Sequence, residues 1–142
     1  MEQPRINFTA VIIAAAAMWF AGMAWYMALS APWMAYTGVT EEMAKQMSGM
    51  DMALAYGGSF AAYIVLFYCM AHVMHAFKAV TVSGAVQAGF WSWLGFTATA
   101  LFVSYTYQGK PFGLVLIDGG YWLIGMVLGA VILAKMPKKE SA

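Results

Sequence analysis

The sequence is short of charge. Of 142 residues, seven are Lys or Arg and six are Asp or Glu, 9% in all, where a soluble domain carries about 25%. So few charges cannot coat a globule of this size, which excludes an ordinary soluble enzyme and a disordered chain. A net charge of +1 gives no pull toward polyanions and excludes a nucleic-acid binder with a basic patch. Cysteine is scarcer still: Cys69 is alone, so there is no disulfide framework and no Cys-rich metal site. Between Tyr68 and Met70 it is expected as a small buried hydrophobe. Histidine is limited to His72 and His75. There is no Gly-rich phosphate loop, no G-x-S-x-G, no H-E-x-x-H and no carboxylate pair.

What is present is apolar: 63% of the residues, with a mean hydropathy of +0.72. A membrane span needs about 20 mostly apolar residues. Four stretches meet that length, at about 8–29, 52–76, 80–105 and 112–134. Runs such as Val11-Ile12-Ile13-Ala14 do not alternate as barrel strands do, so helices are expected. The first stretch is too long for the apolar core of a signal peptide and is read as a retained helix. The expected fold is all-α: one transmembrane domain over 1–142, a polytopic bundle of four transmembrane helices.

Four spans put both termini on one side. With that side cytoplasmic, Arg5, Lys78, Lys135, Lys138 and Lys139 face inward and only Lys45 and Lys110 face outward, as the positive-inside rule asks. The expected location is the plasma (inner) membrane, spanned several times. The one sizeable loop, from about Ser30 to Asp51, then lies outside. Within it Thr40 is a good N-cap, and Met43, Met47 and Met50 repeat at helical spacing. A short amphipathic interfacial helix is expected at about 40–50, a simple helical connector being the alternative. Gly109-Lys110-Pro111 marks the last turn, and Lys135-Met136-Pro137-Lys138-Lys139 the final stop and anchor.

Twelve of the charges fall in loops, termini or interfaces. Asp118 alone sits about six residues inside the fourth span, about 9 Å below the outer boundary. A carboxylate there costs about 2.5–3.5 kcal/mol on insertion scales and is expected to face partners inside the bundle. It is either a proton- or cation-binding group or a structural acid fixing helix packing. Trp25 and Tyr26 end the first span on the same side, Tyr105 ends the third, and Tyr121 lies one turn along from Asp118. These form the candidate ligand or proton site, against the alternative of an interfacial aromatic belt. His72 and His75 are the candidate metal or pigment ligands. One helix cannot supply both axial ligands of a bis-histidine haem, so a single-His haem or chlorin is the only such option and no cofactor is predicted. The bland alternative has His75 interfacial and His72 bonded to a neighbour such as Gln87. Depth excludes a direct Asp118–His72 pair, leaving only a water path lined by Tyr63, Tyr68, Thr97 and Thr99.

Small residues supply the packing signal. Gly125 and Gly129 form G-x-x-x-G, and Ala17 and Ala21 with Gly22 give the first span a small face. Such faces build either the bundle itself, the favoured reading, or a homodimer. Functionally, the chain reads as a non-enzymatic membrane protein acting as an accessory subunit or small oligomeric component. Its expected partners are the lipid bilayer and either further copies or a larger membrane complex. A small proton-coupled transporter or hydrophobic-ligand-binding protein using Asp118 is the rival, and a lipid-modifying enzyme the third reading.

Three groups of residues carry a family likeness. They are Gly22-x-x-Trp25-Tyr26 with Trp33-Met34 and Gly38-Val39-Thr40-Glu41-Glu42; Gly89 with Trp93-Leu94-Gly95-Phe96; and Ile117-Asp118-Gly119-Gly120-Tyr121. On these the chain resembles the DUF1761 family of small bacterial membrane proteins, from about Asn7 to Ala134. Where that family often has Ser-Pro after the Trp-Tyr pair, this chain has Met27-Ala28, with its proline at Pro32. The resemblance implies the four-span architecture and no activity, cofactor or catalytic residue. It also singles out the corner holding Trp25, Tyr26, Asp118 and Tyr121.

Overall fold

The computed structural model describes residues 5–137, so Lys138 and Lys139 lie outside the described residues. All regular structure among the described residues is helical. Helix α1 (Phe8–Ala28) starts at Asn7, whose side chain accepts from the Ala10 N–H, the ordinary way to satisfy a first-turn donor. Helix α2 (Ser30–Thr37) follows after a single non-helical residue, Leu29. Helices α3 (Glu41–Lys45) and α4 (Gly49–Met52) are single turns. A wide π turn over Ala53–Gly57 joins α4 to α5 (Gly58–Ala76), giving one helical rod. Helices α6 (Val82–Ser92) and α7 (Thr99–Tyr107) are joined likewise through a π segment, Trp93–Ala98. Helix α8 (Phe112–Lys135) is the last among the described residues.

Among the described residues three helices are long and apolar enough to cross a membrane: Phe8–Ala28, Gly49–Ala76 and Phe112–Lys135. The fourth expected span, at about 80–105, is helical as far as Tyr107 but is not among them, because Ser83, Gln87, Ser92, Thr97, Thr99 and Ser104 dilute its apolar content.

The connection between the first two long helical rods differs from expectation in two places. Ser30–Thr37 is helix, not loop. Pro32 sits in its first turn, where the missing N–H has no helical acceptor to lose, and Gly38 ends it in the left-handed region at φ 74°. The expected helix at about 40–50 is broken after Lys45. Ser48 and Asp51 form a reciprocal capping box that starts a new helix, so Met50 belongs to the second long rod and Met47 to the link.

Helix α8 is the hub. Helix α1 packs along one side of it and α6 along another, α7 continuing outward from α6, while α5 lies mainly against α1. The core joins Val11, Ala14, Ala15 and Met18 of α1 to Phe67 and Met70 of α5 and to Tyr121, Met126 and Ala130 of α8. Glycine permits this packing. A Cβ at Gly129 would stand 1.9 Å from the Phe67 ring, and one at Gly125 would stand 2.6 Å from the Met18 side chain. The G-x-x-x-G pair is therefore spent inside this chain, receiving knobs from α5 and α1. Backbones approach closely elsewhere, where a Cβ on Gly89 of α6 would come within 2.9 Å of Val127 Cα in α8. Of the small face expected on α1, Gly22 is buried, whereas Ala17 and Ala21 are only half-buried. Cys69 is exposed rather than buried, since α5 turns Phe67 and Met70 inward on either side of it.

Candidate functional site

Asp118 sits in the second turn of α8 and is buried, 8% exposed. Tyr26, near the end of α1, donates its phenol O–H to Asp118 Oδ1 at 2.7 Å. Tyr105, near the end of α7, donates to Oδ2 at 2.7 Å. Both carboxyl oxygens are therefore held, and three helices meet at one side chain. A hydrogen bond contributes about 0.5–1.5 kcal/mol net, and stranding one buried partner costs about 1–3 kcal/mol. Among the described residues no buried side-chain nitrogen or oxygen lacks a partner.

The turn after α7 adds a cation. Gly109, at φ 66°, lets Lys110 N–H bond Tyr105 O and Gly109 N–H bond Thr106 O, at 2.9 and 3.1 Å. This is the double closure of a Schellman turn. It folds Lys110 back so that its Nζ lies 4.4 Å from the centroid of the Tyr105 ring, the geometry of a cation–π contact. The line Lys110–Tyr105–Asp118 thus runs from the helix end to the buried carboxyl.

Two indoles brace the same stretch of α8. Trp25 donates Nε1–H to Ile117 O at 3.0 Å, and Trp93 donates to Gly119 O at 2.8 Å. Gly120 leaves room for the Trp25 ring, which a Cβ would meet at 3.0 Å. Helix α2 lies over this end: Trp33 meets Tyr26 edge-on at 6.1 Å, and Tyr36 occupies the space that a side chain on Gly113 would need.

Tyr121 is not part of the carboxyl cluster. Its hydroxyl lies 3.0 Å from Met18 O, which can only accept, so the Tyr121 O–H donates there and accepts from Tyr63 Oη at 2.9 Å. The three-residue offset from Asp118 carries it to the α1–α5 side of α8, and Gly22 makes the space, since a Cβ there would stand 2.8 Å from the phenol oxygen. The Tyr26 and Tyr121 rings meet edge-on at 5.3 Å. The site therefore has two stacked layers: an acid with two phenols, then a pair of phenols one turn deeper.

Below Tyr63 and Tyr121 the packing is apolar, with Met18, Phe67, Met70 and Met126 all buried. The residues expected to line a water path do not share one. Tyr63 is spent on Tyr121, while Tyr68 stacks on Phe8 at 5.8 Å. Thr97 donates to Met126 Sδ and Thr99 to Gly95 O. His72 meets the Tyr68 ring edge-on at 4.8 Å, and Gln87, its expected partner, is exposed, as is His75. Among the described residues no three His, Cys, Asp or Glu side chains group as metal ligands.

The sequence pointed to Asp118, Tyr26 and Tyr105, and the structure brings these three together. It missed Trp93 and Lys110. A tryptophan N–H in apolar surroundings needs an acceptor, and Gly119-Gly120 offers bare backbone on α8. Gly109 before Lys110-Pro111 was the available sign that the loop turns back on Tyr105.

No curated protein matches the chain, and no solved structure does. The profile of a family described as "Protein of unknown function (DUF1761)" matches residues 9–134. That stretch takes in all of α1 but its first residue, all of α8 but its last, and every residue of the two polar layers, and the chain belongs to the DUF1761 family.

Proposed function

We propose that the protein is a non-enzymatic integral membrane protein that crosses a bacterial inner membrane four times with both termini cytoplasmic. It acts by association, as an accessory subunit or small oligomer, with Asp118 as an internal joint. The observation that carries this reading is the state of the carboxyl: buried, with both oxygens occupied by Tyr26 and Tyr105 of its own chain. The most reactive group in the spans is spent on holding α1, α7 and α8 together, so what the molecule offers a partner is its surface. A second feature supports the same reading. From Gly49 to Gly58 the second rod is exposed, and Gly49, Gly57 and Gly58 have open space where a side chain would be. Val82–Tyr107, helical throughout, serves as the third of the four spans, its polar residues tolerated through hydrogen bonds such as Thr99 to Gly95 O and Thr106 to Phe102 O. Arg5, Lys78 and Lys135 then share the cytoplasmic end.

The test is the particle mass in gentle detergent and in nanodiscs. A homo-oligomer, or a second chain retained in fixed stoichiometry, is expected. A monomer without partner at every concentration overturns the reading.

One observation favours the rival, a proton-coupled carrier or binding protein: the line from Lys110 through Tyr105 to Asp118. Against it stands the apolar packing beneath Tyr63 and Tyr121, with Met18, Phe67, Met70 and Met126 buried. In proteoliposomes the carrier requires a pH-dependent flux that Asp118→Asn abolishes while the protein still inserts. The joint requires that this substitution changes stability alone.

A further inference from the structure

Helix α5 carries one spacing on two opposite sides. Tyr63, Phe67, Met70 and Met74, at steps of four, three and four residues, are buried in the bundle. Ala61, Val65, Tyr68, His72 and His75 repeat the alternation of fours and threes two positions away. Two residues turn a helix by about 200°, so this second seam faces away from the core. Its members are exposed, except His72, which is half-buried. Alternating threes and fours is the period of a helix that packs along a partner helix. The inner seam is filled by α1 and α8. On the outer one Val65 is 62% exposed and Tyr68 39%.

A seam that meets only lipid has no use for polar side chains, yet this one holds a phenol and an imidazole one turn apart. Both lie inside the Gly49–Ala76 span. Tyr68 stands about 15 Å and His72 about 9 Å along the axis before Lys78, the cation that follows the helix. Their rings are positioned: Phe8 stacks on Tyr68 at 5.8 Å, and His72 meets Tyr68 edge-on at 4.8 Å. Neither the phenol oxygen nor an imidazole nitrogen has a hydrogen bond among the described residues. The other tyrosines of the bundle differ, since Tyr26, Tyr63, Tyr105 and Tyr121 are all bonded. Polar groups within a membrane span pair with other groups, commonly across helices.

We propose that the outer seam of α5 is the interface of a two-fold homodimer, in which Tyr68 donates its hydroxyl hydrogen to an imidazole nitrogen of the partner subunit's His72. Symmetry makes the bond twice. A different partner would have to bring both a donor and an acceptor at this spacing, whereas a second copy carries them already. Ala61 and Val65 are small enough to let the two helices approach, and a polar pair at one level of an apolar seam fixes their register. The inference rests on the association reading and names the surface that serves it.

Two measurements on the full chain in membranes test it. A disulfide needs Cα atoms within about 7 Å of each other, so oxidative cross-linking reads the geometry. In a Cys69→Ser background, Val65→Cys is expected to give a disulfide-linked dimer, and Val103→Cys, similarly open on α7, is expected to give none. Energy transfer between donor- and acceptor-labelled copies in liposomes reads the dissociation constant. Tyr68→Phe and His72→Phe keep the rings and are each expected to raise it about tenfold, since two interhelical bonds are lost. The double variant is expected to match either single, because both remove the same bonds. Absence of the Val65→Cys cross-link overturns the proposal. So do unchanged association in the single variants and losses that multiply in the double. A monomer that retains a small molecule, lost in His72→Phe, would assign the pair to a ligand and overturns it as well. An oligomer that persists through such a failure leaves the association reading standing on another surface. A parent chain that is monomeric at every concentration overturns both.

Discussion

The two halves of α8 are buried by different physics. Its first half is held by directed bonds: two phenols on Asp118, two indoles on the Ile117 and Gly119 carbonyls, and the Tyr121 hydroxyl on Met18 O. Its second half has shape, with Gly125 receiving Met18 and Gly129 receiving Phe67. In a bilayer the apolar half gains little from leaving lipid, because lipid is equally apolar, so close fit must supply its cohesion. Directed bonds specify where helices meet, and fit decides how closely.

The comparison breaks most sharply at Gly129. Phe67 is fully buried and a new Cβ at Gly129 lands in its ring, so Gly129→Ala is expected to cost ~3 kcal/mol, at the upper end of overpacking penalties. Gly125→Ala is expected to cost less, because it meets the flexible Met18 side chain, which can move. Unfolding in mixed detergent micelles measures both. Phe67→Leu is expected to restore part of the loss in Gly129→Ala while destabilising the parent. Equal effects at the two glycines would mean that fit does not govern this half.

The directed half is expected to respond next. Tyr26→Phe and Tyr105→Phe each strand one oxygen of Asp118 and are expected to cost about 1–3 kcal/mol. Asp118→Asn should fall in the same range. The informative quantity is coupling, read from double-mutant cycles in the same unfolding measurement. Asp118→Asn combined with Tyr26→Phe is expected to cost less than the two singles together by about 0.5–3 kcal/mol. Asp118→Asn with Tyr121→Phe is expected to be additive, since Tyr121 bonds Met18 O and Tyr63 instead. Equal coupling in both cycles would merge the two layers into one.

Legibility in the sequence follows the same division. Asp118 stood out because a charge has almost no acceptable place in a span, and the ends of α1 and α7 were the places from which Tyr26 and Tyr105 could reach it. Long-range fit was opaque. Nothing in G-x-x-x-G says whether the small face receives a Phe ring from α5 or a second copy of the chain; that depends on the position of Phe67, which periodicity does not fix. The connection between the first two long helical rods failed for another reason. Three methionines at helical spacing suggested one helix, but caps decide where short helices begin, and the Ser48-x-x-Asp51 box outweighed the stripe. The helix at Ser30–Thr37 lay within a stretch expected as loop, and its Pro32 stands in the first turn, where a proline is compatible with a helix start.

The smallest expected effect bears most on function. Lys110→Gln removes an exposed cation from the Tyr105 ring and is expected to cost about 0.5–1 kcal/mol. A cation–π contact needs the ring face, whereas the bond to Asp118 needs the hydroxyl. If Lys110 acts only through the ring, its cost should be unchanged in a Tyr105→Phe background, which keeps the ring and loses the bond. Additivity in that cycle is therefore the outcome expected of a structural joint. If instead the effect of Lys110→Gln disappears once the hydroxyl is gone, the cation is coupled to Asp118 through the phenol. The line from the surface to the carboxyl would then be electrostatically connected, the property that the carrier reading requires and the joint does not.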